Sequence, residues 1–450
     1  MAQERRITAS RIGRLSQLGR LAGGIAGGAM AEGARQIAKG QRPSLGDLLL
    51  TPGNAKRLGD SLSEMRGAAM KVGQLLSMDS GHLLSPQLTD LLARLRENAH
   101  AMPLGQVAAV LKQSWGEGWD GRFSRFSFTP LAAASIGQVH EAVLKDGRHL
   151  AIKLQYPGIR DSIDSDVDNV ATLLRLSGLV PEGLELAPLM AEAKTQLHAE
   201  TDYRREAHAL GRFAAQLSDD TRFEVPEAVE SLTTTQVLTM QFLDGEPIET
   251  LADAPSAQRN AAATSLVELA LREVFEWGLV QTDPNFANYL YAPRSGRIQL
   301  LDFGATRDYE PQLQAALRHL LAACIGGNDD DITTAAAGVG YLDRSDPAGY
   351  RDTVIALLRA ATEPARARGD YTFARSDLAG RMKDIVIQMR LNQKFARMPP
   401  PQVLFLHRKL GGLYLLLSRL RATVPVADLI TPLLINAPPE PLPVTAQHVA

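Results

Sequence analysis

The sequence has one cysteine and no long apolar run, and each absence excludes a class of protein. Cys324 is the only cysteine among the 450 residues, so an intrachain disulfide cannot form, and a reducing compartment suits the chain. The nine histidines are scattered rather than grouped as in zinc sites, and His140 and His149 are interpreted as strand residues. Apolar segments stay short of the roughly 18 residues that indicate a transmembrane helix. The net charge of −2 predicts no general affinity for nucleic acid.

A short acidic motif is the most informative feature that the sequence does contain. Residues 302–304 read Asp-Phe-Gly and end an apolar, strand-like run, while upstream Asp283 precedes Asn288 by five positions. In kinases this arrangement places one Asp beside the attacking group, and an Asn and a second Asp hold Mg²⁺ on the nucleotide. The pattern therefore predicts Asp283 as catalytic and Asn288 and Asp302 as metal ligands. The alternative is a loop and a hairpin whose Asp and Asn residues only cap turns.

Upstream segments follow the order of elements that a kinase fold requires. Residues 122–128 alternate as a half-buried strand does, residues 138–144 are interpreted as the hairpin partner of that strand, and residues 149–155 continue as a further strand. Lys153 on that strand occupies the position of the kinase lysine that contacts the α- and β-phosphates, and Glu206 on a later helical segment is the predicted ion-pair partner. The alternative for Lys153 is an ordinary strand lysine with its ammonium in solvent.

The second half of the chain has mainly helical patterns. Residues 241–245 are interpreted as a hinge between two lobes, where Gln241 and Leu243 are predicted to contact the nucleotide. An apolar helix over 256–278 leads to the catalytic loop, and helical patterns fill most of 311–420. The segment 425–450 contains six prolines and is predicted to be irregular.

Several features of protein kinases are missing. A Gly-rich loop lets backbone amides approach phosphates, whereas alanine restricts the backbone, so a different phosphate grip is predicted here. The residues predicted to form it are Ala132, Ala133, Ala134 and Ser135. Gln281-Thr282, not His-Arg, precedes the catalytic Asp, and the chain enters a helical pattern at 311 without a long segment ending in Ala-Pro-Glu. Because that segment receives the peptide in protein kinases, its absence disfavours action on other proteins.

A further helical segment precedes these elements. Residues 64–79 have apolar positions at helical spacing and carry Lys71 and Gln74 three positions apart. By itself this pattern also fits an ordinary surface helix.

Together, these motifs resemble the UbiB/AarF family of atypical kinases, and most of all its mitochondrial-type coenzyme Q branch. The similar segments are Lys-Val-Gly-Gln (71–74), the Ala-rich stretch (132–140), Ala-Ile-Lys and its continuation (151–158), Glu-Thr-Asp and its continuation (200–207), 281–288, 301–307 and the late helical segment 406–412.

The resemblance implies an α+β, two-lobed protein-kinase-like fold with a helical N-terminal extension packed over the active site. It pairs Lys71 with Glu200, the first residue of a Glu-x-Asp motif that ends at Asp202, and it pairs Lys153 with Glu206. The expected domains are a basic N-terminal segment (1–50), the helical extension (51–120), a kinase-like N-lobe (121–245), a helical C-lobe (246–424) and a Pro-rich tail (425–450).

The resemblance also implies ATP and Mg²⁺ as ligands and a role in ubiquinone biosynthesis. The expected partners are isoprenoid-quinone intermediates, an anionic membrane surface or ubiquinone-biosynthesis enzymes, and no nucleic acid. An ATPase or small-molecule kinase is the preferred activity, with a protein kinase acting in trans and a nucleotide-binding scaffold as alternatives. Retention of Lys153, Asp283, Asn288 and Asp302 disfavours the scaffold.

The first 40 residues are basic, with five more cationic than acidic side chains and an apolar stripe at helical spacing. Three interpretations remain open: attachment to an anionic membrane, a transit peptide, and a helix packed on the domain. If the protein is bacterial, the expected location is the cytoplasm or the periphery of the inner membrane, without the transmembrane segment that members of the mitochondrial branch often carry.

Overall fold

The computed structural model describes residues 65, 67–69, 71–73, 101–134, 136–177, 186–393 and 399–435. The basic N-terminal segment, Gln74, Ser135 and the tail beyond 435 lie outside the described residues. The chain divides into two compact units. Unit 1 comprises residues up to Ser218 together with Val225–Asp244 and Asp302–Gly304, and unit 2 comprises Asp219–Glu224, Gly245–Leu301 and the chain from Ala305 onward. The five domain boundaries expected from the sequence stay predictions.

In the part of the chain that the structure describes, unit 1 combines an antiparallel sheet with four helices of twelve or more residues, and residues 67–69 and 71–73 are also helical. Its helices are α1 (Leu104–Trp115), α2 (Ile159–Ser177), α3 (Leu186–Glu200) and α4 (Tyr203–Gln216). Its strands are β1 (Phe123–Phe126), β2 (Ala132–Ala133), β3 (Gly137–Leu144), β4 (His149–Gln155) and β6 (Val237–Gln241). The sheet order is β1-β3-β4-β6, with β2 paired to β3. The hairpin and the further strand predicted from the sequence are confirmed.

Strand β4 is buried on both faces, and the alternation of its side chains separates packing from chemistry. Leu150, Ile152 and Leu154 point into an aromatic-rich core that includes Trp115 of α1. Because successive side chains of a strand point to opposite faces, Lys153 lies on the other side of the sheet. An apolar core on one face of β4 therefore holds the strand that presents the lysine.

Among the described residues, unit 2 is mainly helical and contains three small sheets. Its strands are β5 (Phe223–Glu224), β7 (Glu246–Pro247), β8 (Leu279–Gln281), β9 (Tyr289–Ala292), β10 (Arg297–Leu300), β11 (Thr306–Asp308), β12 (Tyr371–Thr372) and β13 (Thr423–Val424). Its helices are α5 (Ser256–Arg272), α6 (Pro311–Gly326), α7 (Asp329–Val339), α8 (Ala348–Ala361), α9 (Glu363–Arg366), α10 (Leu378–Gln393), α11 (Pro401–Arg419) and α12 (Val426–Ile435). The sheet orders are β5-β10-β9-β7, β11-β8 and β12-β13.

The prediction of an irregular segment from 425 onward is wrong over Val426–Ile435. These residues form α12, although Pro432 lies inside the helix. Val426 and Ile430 are four positions apart and buried, so packing of an apolar face offsets the hydrogen bond that proline removes. The prediction relied on the number of prolines and overlooked the helical spacing of the apolar residues Val426 and Ile430.

No helix among the described residues is both long and apolar enough to span a bilayer.

An ion-pair cluster in unit 2 gives a stability prediction. The Asp220 carboxylate accepts hydrogen bonds from the guanidinium groups of Arg222 and Arg272, each at 2.8 Å. The side-chain hydrogen bond from Arg222, chiefly, lowers the pKa of Asp220 from 3.8 to about 2. A depressed carboxyl pKa stabilises the fold above the unfolded-state pKa, and this stabilisation is lost as the pH falls toward the folded-state value.

We expect Asp220→Asn to lower the free energy of unfolding by about 1–2 kcal/mol at pH 7, since Arg222 is partly screened by solvent. The difference from the wild type should shrink between pH 4 and pH 2. Urea titrations across that range measure it, with Asp253→Asn as the control because the Asp253 side chain is 96% exposed. If the difference in the free energy of unfolding between Asp220→Asn and the wild type did not depend on pH, ionisation of Asp220 would not be coupled to stability.

Candidate active site

Three charged side chains, Lys153, Glu206 and Asp302, form a cluster in unit 1. The Lys153 ammonium donates to both carboxylate oxygens of Glu206, at 2.8 and 3.1 Å, and to Oδ2 of Asp302 at 3.1 Å. Lys153 comes from β4, Glu206 from the first turn of α4, and Asp302 from the Asp-Phe-Gly motif. The structure thus brings together the lysine and glutamate that the sequence pairs, and it adds Asp302 to them.

The Asp-Phe-Gly segment is fixed by local contacts within unit 1. The backbone N–H of Gly304 donates to Oδ1 of Asp302 at 2.9 Å, and the Phe303 ring packs on Phe213 of α4 with centroids 4.9 Å apart. A Cβ atom at position 304 would lie 3.2 Å from Oε2 of Glu206. Glycine at this position therefore lets the backbone of residue 304 lie close to the Glu206 carboxylate without a crowding side chain.

Charge compensation dominates the electrostatics of this cluster. Burial opposes the charge on Lys153, but Asp302 and Glu206 outweigh that effect and hold the pKa of Lys153 well above its ordinary value. Burial also raises the pKa of Glu206, whose side chain is 4% exposed. Burial would likewise raise the pKa of Asp302, but Lys153 and the Gly304 amide lower it, with a further contribution from Lys71. Asp302 is therefore an ionised carboxylate and, with its side chain 32% exposed, it is the most accessible of the three.

Lys71 lies beside this cluster and forms an ion pair with Glu200 at the end of α3. The side chains are 7% and 15% exposed, so the pair is largely buried. This is the contact that the family resemblance implies. Asp202 has a different contact: as the N-cap residue of α4, its side chain accepts a hydrogen bond from the backbone N–H of Arg204 at 3.1 Å. A catalytic role for Asp202 stays a prediction.

Tyr203 is a buried neighbour of Lys153 that the sequence reasoning missed. The Lys153 ammonium lies 5.3 Å from the centre of its ring, and its hydroxyl has no hydrogen-bond partner among the described residues. Burial raises the pKa of Tyr203 well above its ordinary value. A Cβ atom at Gly137 would lie 2.0 Å from the carbonyl oxygen of Leu154 and 3.1 Å from the Tyr203 hydroxyl, which explains glycine at that position. The position of Tyr203 directly after the Glu-x-Asp motif was the available signal.

The alanine segment forms a short strand edge rather than an open loop. Ala132 pairs with Val139 and Ala133 with Gln138, and the N–H of Ala134 donates to the carbonyl of Gly137 at 2.8 Å. The side chains of this segment are largely exposed. The assignment of Ala132, Ala133, Ala134 and Ser135 to phosphate binding stays a prediction, and Ser135 lies outside the described residues.

The two hinge residues differ in exposure. Gln241 is exposed, and its backbone N–H donates to the carbonyl of Glu227 at 2.8 Å. Leu243 is buried. Their contact with a nucleotide stays a prediction.

The histidines of the sheet have structural contacts, as interpreted from the sequence. His140 on β3 is buried, with Nε2 2.7 Å from Nε2 of Gln138 and Nδ1 2.8 Å from the carbonyl oxygen of Ser127. His149 on β4 lies 2.8 Å from a Glu141 oxygen and stacks on Phe242. Burial lowers the pKa of His140, so it is neutral at physiological pH.

Unit 2 contains the second set of predicted residues, Asp283 and Asn288. The Asn288 amide donates to Oδ2 of Asp283 at 3.1 Å, which leaves the amide oxygen as the atom able to coordinate a cation. Arg408 of α11 donates to Oδ1 of Asp283 at 2.5 Å. Both oxygens of the Asp283 carboxylate are therefore held, one by each neighbour.

A second charged pair, Lys409 with Glu273, contacts the backbone of Gln281, two residues before Asp283. Lys409 donates to Glu273 at 2.5 Å and to the carbonyl of Gln281 at 3.0 Å, and the backbone N–H of Gln281 donates to Glu273 at 2.8 Å. Burial raises the pKa of Glu273, although Lys409 opposes that shift. The sequence reasoning did not assign Arg408, Lys409 or Glu273 to the site. Two adjacent cations in the middle of a largely apolar helix were the available signal.

The residues predicted as metal ligands carry the kind of oxygen that magnesium on a nucleotide accepts. No group of three or more His, Cys, Asp or Glu residues suited to a metal ion occurs in the part of the chain that the structure describes. Mg²⁺ usually takes one or two carboxylates or amides and completes its shell with phosphate oxygens and water. Asp302 of unit 1 and Asn288 of unit 2 each offer an oxygen of this kind. Their joint role as magnesium ligands stays a prediction.

The chain belongs to the ABC1 atypical kinase family, since residues 94–336 match the ABC1 atypical kinase-like domain. This match confirms the family resemblance and the kinase-like α+β fold predicted from the sequence. The match covers β1–β4, the Lys153 cluster and the segment that contains Asp283 and Asn288. The placement of the extension over an active site stays a prediction.

Three relatives illustrate the similarity. The chain is 38% identical to the atypical kinase COQ8B, mitochondrial, of Rattus norvegicus over 430 residues, covering 95% of this chain and 81% of that protein. It is 37% identical to the atypical kinase COQ8, mitochondrial, of Saccharomyces cerevisiae over 426 residues, covering 94% and 84%. It is 36% identical to the atypical kinase coq-8, mitochondrial, of Caenorhabditis elegans. That alignment covers 94% of this chain but only 57% of the length of the worm protein.

A solved structure is also similar. The complex of Rv3197 with erythromycin from Mycobacterium tuberculosis has a TM-score of 0.58 and 28% sequence identity, covering 83% of this chain and 94% of that one. The fold of the chain therefore occurs in an experimentally determined relative.

Proposed function

We propose that the protein binds Mg²⁺-ATP and hydrolyses it, or transfers its phosphoryl group to a small molecule, in support of ubiquinone biosynthesis. One observation carries the nucleotide part of this proposal: Lys153 contacts Glu206 and Asp302 together, each within 3.1 Å. A buried lysine paired in this way is the arrangement by which kinases orient nucleotide phosphates and magnesium.

Each residue has a stated role in this proposal. Lys153 contacts phosphate oxygens and Glu206 fixes the position of its ammonium, as an unpaired flexible side chain would be poorly positioned. Asp302 and Asn288 hold Mg²⁺. Asp283 orients the attacking hydroxyl or water. Contacts to both of its oxygens fix the position of its carboxylate for this role.

Two observations favour a non-protein acceptor. The chain passes from Gly304 through β11 directly into α6 at Pro311, which leaves no long segment to receive a peptide. Lys71 of the extension is paired with Glu200 inside unit 1, so its ammonium is already engaged by a carboxylate of the same unit. A protein kinase acting in trans is the second candidate, favoured only by membership of a kinase family.

The link to ubiquinone rests on the family. The relatives in rat, yeast and worm are named COQ8-type atypical kinases, and the motif set resembles the coenzyme Q branch. We infer isoprenoid-quinone intermediates or the enzymes that make them as partners, and attachment at the surface of a membrane as the location.

The test is ADP release by the purified full chain with Mg²⁺-ATP, measured alone, with vesicles containing anionic lipid, and with phenolic quinone precursors. The proposal expects Mg²⁺-dependent ADP release that rises with vesicles or with precursors. Mass spectrometry of the precursors then separates hydrolysis from phosphoryl transfer. Release of ADP only in the presence of a protein acceptor would favour the protein kinase instead, and no release under any condition would refute an enzymatic role.

A further inference from the structure

Helix α11 carries two adjacent cations, and both contact the catalytic loop of unit 2. Arg408 donates to Oδ1 of Asp283 at 2.5 Å, and its side chain is 8% exposed. Lys409 donates to the carbonyl of Gln281, two residues before Asp283, and to Glu273, which in turn accepts from the N–H of Gln281. The loop is therefore held at its backbone by one cation and at its carboxylate by the other.

A third contact fixes the distance between helix and loop. A Cβ atom at Gly412 would lie 2.0 Å from Cβ of Pro284, the residue after Asp283. Only a glycine permits this approach without displacement of the loop or the helix. Arg408 and Gly412 are one helical turn apart, so they lie on the same face of α11.

Stability alone does not account for the buried ion pair of Arg408 with Asp283. Burying a charged pair seldom stabilises a fold more than well-packed apolar residues would, since desolvation cancels most of the attraction. It does restrict geometry: a guanidinium has a rigid planar array of donors, whereas an ammonium is a point charge on a flexible stem. Asn288 holds the second oxygen of the same carboxylate at 3.1 Å, so the carboxylate cannot rotate without losing a contact.

We propose that Arg408 is the positioning residue for Asp283: it orients and charge-compensates the carboxylate without contacting the nucleotide. This inference rests on the proposed function, because it assigns Arg408 to the same reaction. It predicts an effect on turnover and little effect on nucleotide affinity, since Arg408 contacts the loop residue that orients the attacking group.

The experiment compares Arg408→Met, Arg408→Lys and the wild type in the full chain, with kcat and KM for Mg²⁺-ATP determined for each. Arg408→Met should lower kcat about 10- to 100-fold, the loss typical of a misplaced reacting group, and leave KM nearly unchanged. Arg408→Lys should recover part of the loss because it restores the charge but not the planar donors. Arg419→Met is the matched control on the last turn of α11, where the guanidinium is largely exposed and lies 3.5 Å from Glu249.

A double substitution separates positioning from a general structural effect. In an Asp283→Asn background, Arg408→Met should lower kcat little further, because residues that act as a unit are not additive. Should Arg408→Met fail to fold, Arg408→Gln replaces it with the same expected loss of kcat.

The inference is overturned if the folded uncharged variant turns over ATP like the wild type, if its loss lies in KM, if Arg408→Lys recovers nothing, or if the two substitutions are additive. Its failure differs from failure of the proposed function. Equal ADP release by the wild type and Asp302→Asn would refute the function, whereas a difference between those two with normal turnover by Arg408→Met would refute only the positioning role.

Discussion

Replacing Lys153 by Met is expected to lower ATP turnover about 100-fold or more. Lys153 is the buried cation that contacts both Glu206 and Asp302, and loss of one preorganised donor to a charged reacting group typically has an effect of this size. The fold should survive, because burial already raises the pKa of Glu206 and favours its neutral form once the lysine is absent. Steady-state ADP release, with circular dichroism to check folding, measures the effect.

Two controls sharpen this prediction. Lys153→Arg keeps the charge and should retain more activity than Lys153→Met, although the larger guanidinium does not fit the geometry of an ammonium. Lys112→Met removes a lysine of the same unit whose side chain is 58% exposed, and it should turn over ATP like the wild type. Wild-type turnover by a folded Lys153→Met protein would remove Lys153 from the site.

Replacing Lys71 by Ala is expected to have the largest effect on stability. The substitution removes the cation from a largely buried pair with Glu200, and breaking such a pair costs about 2–4 kcal/mol. The midpoint of thermal unfolding should fall by roughly 5–10 °C for a unit of this size. Turnover should change as well, since Lys71 contributes to lowering the pKa of Asp302. Differential scanning calorimetry and ADP release measure the two effects.

The matched control for Lys71 is Lys112→Ala. Lys112, on α1, is also a lysine paired with a glutamate, but the side chains of Lys112 and Glu117 are 58% and 81% exposed. Exposed pairs contribute about 0–1 kcal/mol, so this variant should unfold near the wild-type midpoint. If Lys71→Ala and Lys112→Ala shift the midpoint equally, the pair with Glu200 does not stabilise the fold.

The sequence was sufficient to predict the elements that carry regular patterns. The apolar, β-branched composition of 149–155 located β4. The order of motifs identified Lys153 and Glu206 as partners and Asp302 as a site residue, because each stands in a segment with a recognisable period or turn. The family resemblance added Lys71 with Glu200, a contact between residues 129 positions apart that no local pattern encodes.

The residues that escaped prediction act through tertiary contacts. Arg408 lies 125 positions from Asp283. The adjacent cations of α11 are visible in the sequence, but the helical pattern does not show which segment they contact. Tyr203 lacks a motif of its own and is important only because α4 and β4 bury it beside Lys153. The helix at Val426–Ile435 was missed because prolines were counted without regard to the apolar residues between them.

The central claim is that the cluster around Lys153 binds Mg²⁺-ATP, and titration calorimetry of the full chain tests it most directly. ATP is titrated with Mg²⁺ present and with Mg²⁺ chelated, into the wild type and into Asp302→Asn. The account predicts that the wild type binds ATP more tightly when Mg²⁺ is present, and that Asp302→Asn loses this Mg²⁺ dependence while remaining folded. The same Mg²⁺-dependent affinity in both proteins would contradict it.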